Sequence, residues 1–253
     1  MPRGPEELRE LVETYLDELP LMPELGTLDA PVRYSLGGKR VRPVLCLAAG
    51  EAAGGDVGRV MPAAAAIELV HSFSLVHDDL PALDNDAERR GRPSVWAAYG
   101  EATAILAGDA LVAEAFRLAL ACGPSVANEL VEATLAMIGG QQRDLEGGHD
   151  LAELHRLKTG ALFSASVLCG VWAAGLPPAE HPPWRAFAAE LGLLFQVVDD
   201  ILDGDGYVVD VGESGARQIA DEAAERAQDR LAAIDADTNV LSEIVAGLAA
   251  RTA

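Results

Sequence analysis

Apolar side chains at helical spacing are the feature that most restricts the fold of this chain. The clearest example is the stretch PPWRAFAAELGLLFQVVDDILDG, residues 182–204, in which large apolar residues recur at steps of three and four. These residues are Trp184, Phe187, Leu191, Leu194, Val198 and Ile201. Because an α-helix has 3.6 residues per turn, this spacing places all of them on one face and predicts a helix that buries that face.

Short glycine and proline breaks separate this segment from others of the same kind. They fall at residues 36–38, 54–55, 99–100, 122–124, 146–148, 175–178 and 204–206. The segments between them are mostly too long for strands, and the one alternating stretch, YVVDV at 207–211, is short and isolated. Aromatic residues make up only 5% of the chain. We therefore predict a single all-α domain, residues 1–253, with about ten helices.

The charge balance and the cysteines restrict the class of protein further. A net charge of −21 would repel a nucleic-acid backbone, so nucleic acid is not an expected partner. Three widely spaced cysteines without a CxxC pair fit a reducing compartment. The charged N-terminus lacks the apolar core of a signal peptide, and no uncharged apolar run approaches the length of a membrane span. We expect a soluble, cytoplasmic protein.

Two aspartate clusters end two of the apolar helices. A single cluster of this kind, in a chain this rich in aspartate, would by default be a solvated helix end. Two clusters, each ending a polar stripe on an apolar helix, are much harder to explain as chance. The first consists of Asp78, Asp79 and Asp84, and the second of Asp199, Asp200 and Asp203.

The polar stripes follow from helical geometry. His71, Ser74 and Asp78 stand at i, i+3 and i+7 and share one face of their helix. Gln196, Asp199 and Asp203 have the same spacing of i, i+3 and i+7 and share one face of the second helix. Pro81 ends the first helix, and we expect the turn after it to bring Asp84 back towards Asp78.

Crowded carboxylates facing an interior cleft need a cation. Oxygen ligands without His or Cys favour Mg²⁺, which retains water molecules and bridges carboxylates to phosphate groups. Two acidic clusters facing each other across a helical cavity are therefore predicted to hold a diphosphate through magnesium.

Basic residues accompany both a glycine turn and the first acidic cluster. Arginine binds phosphate oxygens in a bidentate manner and lysine supplies a point charge, so these residues predict a second, directly built anion site. A lone basic turn would more often be solvent-exposed. Lys39 and Lys158 are the only lysines among nineteen basic residues. The remaining members of the set are Arg40, Arg42, Arg89 and Arg90.

Six segments between about residues 31 and 206 together resemble the trans-isoprenyl diphosphate synthases, most closely the bacterial farnesyl and geranylgeranyl diphosphate synthases. The segments are GGKRVRP, HSFSLVHDDLPALDND, RRGRPS, AILAGDAL, KTGALF and GLLFQVVDDILD. The resemblance implies an isoprenoid-synthase-type helical bundle around a deep central cavity, and a homodimer.

The resemblance also implies roles for individual residues. Asp78, Asp84 and Asp199 would hold the three magnesium ions that bind an allylic diphosphate, with Asp79, Asp200 and Asp203 in support. Arg89 and Lys158 would neutralise that diphosphate. Lys39, Arg40, Arg42, His71 and Arg90 would bind isopentenyl diphosphate. Lys158, Thr159 and Gln196 would line the path where a carbocation develops.

The implied reaction is a magnesium-dependent, head-to-tail condensation of isopentenyl diphosphate with dimethylallyl or geranyl diphosphate. Phe73 and Ser74 precede Asp78 by five and four residues, and five residues place Phe73 about 7.5 Å below Asp78 along the helix. An aromatic floor at that depth resembles farnesyl diphosphate synthases. Ordinary core packing would also explain Phe73. We expect (E,E)-farnesyl diphosphate as the product, with geranylgeranyl or geranyl diphosphate as the alternative.

The chain departs from the family after the second cluster. The family continues with a lysine-containing loop, whereas residues 204–253 contain no lysine. Arg217 is a candidate replacement. Two further alternatives are a class I terpene cyclase, which normally lacks a GGKRVRP-like site, and a non-catalytic subunit of a prenyl synthase, which usually has damaged aspartate motifs.

Overall fold

The computed structural model describes residues 3–147 and 150–252, so part of the predicted break at 146–148 lies outside the described residues. The helices are α1 (Pro5–Asp17), α2 (Asp29–Ser35), α3 (Val41–Ala52), α4 (Val57–Asp78), α5 (Val95–Tyr99), α6 (Glu101–Cys122), α7 (Pro124–Glu146), α8 (Leu151–His155), α9 (Ala161–Ala174), α10 (His181–Asp203), α11 (Tyr207–Ala232) and α12 (Asn239–Ala249). Short 3₁₀ turns lie at Pro23–Leu28, Pro178–Glu180 and Ala250–Thr252, and a π-helical turn, Arg156–Gly160, joins α8 to α9. The all-α prediction is confirmed.

The helix predicted from apolar spacing is α10. Its apolar stripe is buried from Trp184 to Val198, with Ile201 half-buried near the end. Pro182 and Pro183 occupy the first turn, where the missing N–H groups have no intrahelical partner to lose. Gly204 ends the helix in the left-handed conformation.

The centre of the bundle is α9, which is buried on almost every side. It packs against α3, α4, α7 and α10. Gly170 permits a very close approach to α3, because a Cβ atom there would lie 2.1 Å from the carbonyl oxygen of Cys46. Small residues at this crossing therefore set the distance between the two helices.

A minimal β-hairpin is the one departure from helix and loop among the described residues. Its strands, β1 (Glu88–Arg89) and β2 (Arg92–Pro93), pair antiparallel. The turn residues Arg90 and Gly91 both have positive φ, as the tight two-residue hairpin turn requires. The hairpin places Arg89 in β1 and Arg90 in the turn, so the two side chains can contact different groups.

Two helical stretches, Val57–Asp78 and Leu151–Ala174, are long and apolar enough to span a membrane by length and composition alone. The sequence shows no uncharged run of that length because residues such as Arg59 and Glu68 interrupt α4. More than half of each apolar stretch is buried inside the bundle. Packing in a protein core accounts for the apolar character of both.

Candidate active site

Two adjoining cavities lie along the C-terminal half of α4, one towards α7 and the other towards the turn before α3 and the end of α10. We call them the α4–α7 cavity, about 370 Å³, and the basic cavity, about 460 Å³. They share Arg42, His71 and Leu75 in their walls. The first also contains Phe73, Ser74, Asp78, Lys158 and Thr159, and the second Lys39, Arg40, Arg89, Arg90, Asp199 and Arg251.

Asp78 is the carboxylate of the first cluster that lines the α4–α7 cavity. Burial raises its pKa to about 6, and the nearby carboxylates of Asp84 and Asp79 act in the same direction against Lys158 and Arg89. The backbone N–H of Asp84 donates to the carbonyl of Asp78 at 2.9 Å, so the turn after Pro81 does bring Asp84 back. Burial thus makes the charged form of Asp78 unfavourable, and Lys158 and Arg89 offset that only in part.

Asp79 points away from that cavity and holds Arg89. Its buried carboxylate accepts hydrogen bonds from Nε of Arg89 at 2.8 Å and from Nη2 at 2.5 Å. This bidentate pair fixes the guanidinium close to the first cluster. A metal-binding role for Asp79 stays a prediction, and the observed contacts make it a positioning residue for Arg89.

Arg90 reaches the other side of the hairpin. It donates to the carbonyl oxygen of Gly37 in the glycine turn before α3. Gly38 has a φ of +123°, and a Cβ atom there would lie 2.6 Å from the Arg90 guanidinium. Glycine at this position therefore provides both the backbone conformation and the space for Arg90.

Arg40 is occupied by ion pairs. It is buried, with Nη1 2.7 Å from the carboxylate of Glu68 and Nη2 3.0 Å from that of Glu13. These contacts tie the turn before α3 to α4 and α1. The role for Arg40 in substrate binding stays a prediction, but its ion pairs favour a structural one.

Arg42 and His71 form the wall that both cavities share. The Arg42 guanidinium lies 4.3 Å from the ring centre of Phe163 and 5.5 Å from that of Phe195. Its Nη1 lies 3.5 Å from Nε2 of His71. Burial lowers the pKa of Arg42 to about 10, and burial followed by the charge of Arg42 lowers the pKa of His71 well below its ordinary value. His71 is therefore neutral at pH 7.

The second cluster divides between two environments. Asp199 lines the basic cavity, where burial raises its pKa against the opposing charge of Arg251. Asp203 is exposed. Asp200 is buried and accepts hydrogen bonds from Nε2 of Gln196 at 2.6 Å and from the backbone N–H of Tyr207 at 2.9 Å. Asp200 thus joins the end of α10 to the start of α11.

Gln196 does not lie with Lys158 and Thr159. It lines a third cavity of about 500 Å³ that also contains His155 and Tyr207. The Nδ1 atom of His155 lies 3.7 Å from the Asp200 carboxylate. Sequence spacing alone places Gln196 and Asp199 on one face, but the hydrogen bond to Asp200 turns the amide towards this third cavity.

Lys158 projects from the π-helical turn into the α4–α7 cavity. Its Nζ atom lies 2.6 Å from the Asp144 carboxylate on α7. Asp144 was not predicted from the sequence, although the polar run QQRD in an apolar helix was a usable signal. Arg251 was not predicted either. Arg217, the candidate replacement, is exposed and paired with Glu213 within α11.

Oxygen ligands are available for a hard divalent cation. Asp78 and Asp84 offer only carboxylate oxygens, and the raised pKa of Asp78 indicates a charge that a cation would relieve. The donor chemistry of Asp78 and Asp84 therefore fits magnesium. Within residues 3–147 and 150–252, no three His, Cys, Asp or Glu side chains are already grouped as a metal site.

Comparison with known proteins gives a consistent result. A model of the polyprenyl synthetase family matches residues 26–222. A geranylgeranyl diphosphate synthase of Cyanophora paradoxa is 44% identical over 68% of this chain, and the chain matches 64% of that protein's length. The large subunit 1 of a heterodimeric geranylgeranyl pyrophosphate synthase of Arabidopsis thaliana is 39% identical over 90% of this chain and 73% of its own length. A geranyltransferase structure from Legionella pneumophila superposes with a TM-score of 0.89 at 32% identity, covering 98% of this chain and 96% of that one.

Proposed function

The chain belongs to the polyprenyl synthetase family, and from that premise we propose that it is a prenyltransferase acting on diphosphate esters. The resemblance drawn from the six motifs is thereby confirmed. One observation carries the proposal: a carboxylate-containing cavity and a cation-lined cavity share the wall formed by Arg42 and His71. That arrangement suits two diphosphate substrates, one bound through metal and one bound directly.

The allylic diphosphate is assigned to the α4–α7 cavity. Asp78 and Asp84 would hold magnesium there. Asp199 from the second cluster lines the basic cavity instead, so its role as a magnesium ligand stays a prediction. Bound magnesium would neutralise the charge that develops on the departing diphosphate. Lys158 lines this cavity and would place positive charge beside the diphosphate, since Asp144 holds its ammonium group there. Arg89 lines the basic cavity and is paired with Asp79, so its contact with the allylic diphosphate stays a prediction.

Isopentenyl diphosphate is assigned to the basic cavity. Lys39, Arg42 and Arg90 have no carboxylate within 4.0 Å among the residues that the structure describes, so their charges are available to an anion. Neutral His71 can hydrogen-bond a phosphate oxygen without repelling Arg42. The shared wall would bring the two substrates together for reaction.

The reaction would proceed in three steps. The allylic C–O bond breaks, and its electron pair leaves with the diphosphate. The double bond of isopentenyl diphosphate then forms a C–C bond to the allylic carbon, and loss of a proton makes a new double bond. The departing diphosphate can accept that proton, and apolar walls including Met137, Ile138 and Leu162 would exclude water from the cation.

We propose geranylgeranyl diphosphate, with twenty carbons, as the main product. Both relatives described above are geranylgeranyl diphosphate synthases by name, and this supports the longer product over the farnesyl diphosphate expected from Phe73. Phe73 packs edge-on against His77 with ring centres 5.0 Å apart, and His77 is bonded to the Ile105 carbonyl of α6. Both rings line the α4–α7 cavity, where they would limit the length of the growing chain, so a fifteen-carbon product is the second candidate.

Product sizing tests the proposal. The purified chain is incubated with Mg²⁺, isopentenyl diphosphate and dimethylallyl, geranyl or farnesyl diphosphate in turn, and the dephosphorylated alcohols are separated by length. A twenty-carbon alcohol is the expected result, and a fifteen-carbon alcohol from every short primer would refute the product assignment. A cyclic hydrocarbon would indicate a cyclase, and no product with any primer would indicate a non-catalytic subunit.

We also propose that the chain assembles as a homodimer through α6 and α7. Val131 and Leu135, one turn apart on α7 and outside both cavities, are exposed, and Leu135 is 64% exposed. Ile105 and Leu106 add exposed apolar surface on α6. A second copy of the chain is the occupant proposed for this surface, and a different subunit, as in the heterodimeric relative, is the alternative that a mass measurement would reveal.

A further inference from the structure

Arg42 is a half-buried cation that is held without a carboxylate partner. Its side chain leaves the first turn of α3 and reaches the wall that both active-site cavities share. Its Nε atom is buried and has no hydrogen-bond partner, and no carboxylate lies within 4.0 Å of the guanidinium, among the residues that the structure describes. Burial lowers the pKa of Arg42 to about 10, so the surroundings disfavour the charge. Something other than an ion pair has to hold this guanidinium in place.

Two phenylalanine rings provide that support. The guanidinium carbon lies 4.3 Å from the ring centre of Phe163 on α9 and 5.5 Å from that of Phe195 on α10. The rings pack against each other with their centres 4.1 Å apart. The electron-rich face of an aromatic ring attracts a cation at these distances, and most strongly where water is excluded. We call Phe163 and Phe195 the aromatic clamp.

The aromatic clamp holds Arg42 without neutralising it. Glu68 and Asp199 line the same basic cavity and attract Arg42, but Glu68 is bonded to Arg40 and Asp199 faces Arg251 at 4.0 Å. A carboxylate that paired with Arg42 would cancel its charge. A phenyl ring carries no net charge, so a guanidinium held by rings keeps its positive charge for an incoming anion.

The Phe163 ring is separated from any bound substrate. It lines neither active-site cavity, and 0% of the residue is exposed. Phe195, in contrast, borders the basic cavity and is 9% exposed. An effect of the Phe163 ring on the binding of an anion therefore has to pass through Arg42.

We propose that Phe163 and Phe195 are positioning residues that hold the Arg42 guanidinium at the shared wall, away from carboxylates, so that it can bind a diphosphate. Without the rings, the guanidinium would turn towards Glu68 or Asp199, and the cavity would lose positive charge that an anion needs. The identity of the anion as isopentenyl diphosphate rests on the function proposed above, whereas the positioning of Arg42 for a diphosphate group does not.

Calorimetric titration of inorganic pyrophosphate in EDTA is the first test, because binding then reports the cations of the protein without magnesium. Phe163→Leu removes one ring of the clamp. Phe187→Leu is the matched control, since Phe187 is equally buried, lies outside both cavities and is not one of the rings beside Arg42. Phe163→Leu should weaken binding roughly 5- to 30-fold, as the loss of a desolvated cation–π contact predicts, and Phe187→Leu should bind like the unmodified protein. Equal weakening by both variants would overturn the proposal.

A rescue and a double substitution separate positioning from packing. Phe195→Leu should also weaken pyrophosphate binding, whereas Phe195→Tyr keeps a ring beside Arg42 and should recover most of the affinity. In an Arg42→Gln background, in which Lys39 and Arg90 still attract the anion, Phe163→Leu should change the affinity by less than about twofold, because no guanidinium is left to position. A loss as large as in the unmodified background would show that Phe163 acts through packing alone.

Steady-state kinetics provides the last readout. Phe163→Leu should raise KM for isopentenyl diphosphate about fivefold more than KM for the allylic primer, with kcat changed less. Unaltered pyrophosphate affinity in Phe163→Leu would contradict the proposal, as would no measurable pyrophosphate binding to the unmodified protein. If no primer gives a product, the proposed function fails, and the pyrophosphate titrations still decide the role of the two rings.

Discussion

Replacing Asp78 by asparagine removes a negative charge that is unfavourable in the folded protein. Burial, Asp84 and Asp79 together raise the pKa of Asp78 from its ordinary value of 3.8 to about 6. A raised pKa means that folding favours the protonated form, so the associated stability is present below about pH 4 and is lost as the pH rises through 6. The difference between these two pKa values corresponds to roughly 3 kcal/mol of unfolding free energy at pH 8.

Asparagine mimics the protonated carboxyl in shape and charge. Asp78→Asn should therefore be more stable than the unmodified protein by up to about 3 kcal/mol at pH 8, and by about half of that at pH 5. For a chain of this size the change at pH 8 corresponds to a rise in Tm of roughly 6–12 °C. The same substitution should remove most prenyl-transfer activity, because it deletes a predicted magnesium ligand.

Urea unfolding in EDTA, at pH 5 and pH 8, measures the difference directly. Asp221→Asn is the matched control, since Asp221 is exposed on α11 and its replacement should leave stability unchanged at both pH values. Equal stability of Asp78→Asn and the unmodified protein at pH 8 would refute the electrostatic reasoning. A stabilisation of the same size at both pH values would do so as well, because it could not arise from titration of Asp78.

Three further substitutions test packing, assembly and product length. Arg40→Met breaks two ion pairs and leaves a buried carboxylate on α4, so it should lower the free energy of unfolding by roughly 3–5 kcal/mol in urea titrations; an unchanged midpoint would contradict the structural role. If the chain forms the proposed homodimer, Leu135→Glu should convert it to monomer in sedimentation experiments, whereas Leu11→Glu on α1 should not. Phe73→Ala should lengthen the product, and Phe116→Ala, outside both cavities, should leave the product distribution unaltered.

Local spacing was enough to predict the helices. The buried stripe from Trp184 to Val198 follows directly from residues at steps of three and four, and the glycine and proline breaks mark most helix ends. The return of Asp84 to Asp78 was also predictable, because Pro81 forces a turn within a few residues. Such features depend on neighbours in sequence and need no knowledge of the remaining chain.

The partners of individual charges were not predictable in this way. Arg40 matches the motif as well as Arg42 does, yet its guanidinium meets Glu68, twenty-eight residues away, whereas Arg42 meets aromatic rings. Gln196 shares a helix face with Asp199 but donates to Asp200 and faces another cavity. Each outcome depends on which helix packs opposite the side chain. The distance between two such helices cannot be read from a single sequence.

The sequence by itself therefore determined the helical class, the two aspartate clusters and the set of cations from which a diphosphate site can be built. Only the tertiary structure decided which of those charges neutralise one another and which remain available. Asp79 holds Arg89, Glu68 holds Arg40, and Arg251 reaches Asp199 from the far end of the described chain. The physical reason is that Coulomb energy depends on distance and burial, and both are set by packing between helices that are remote in sequence.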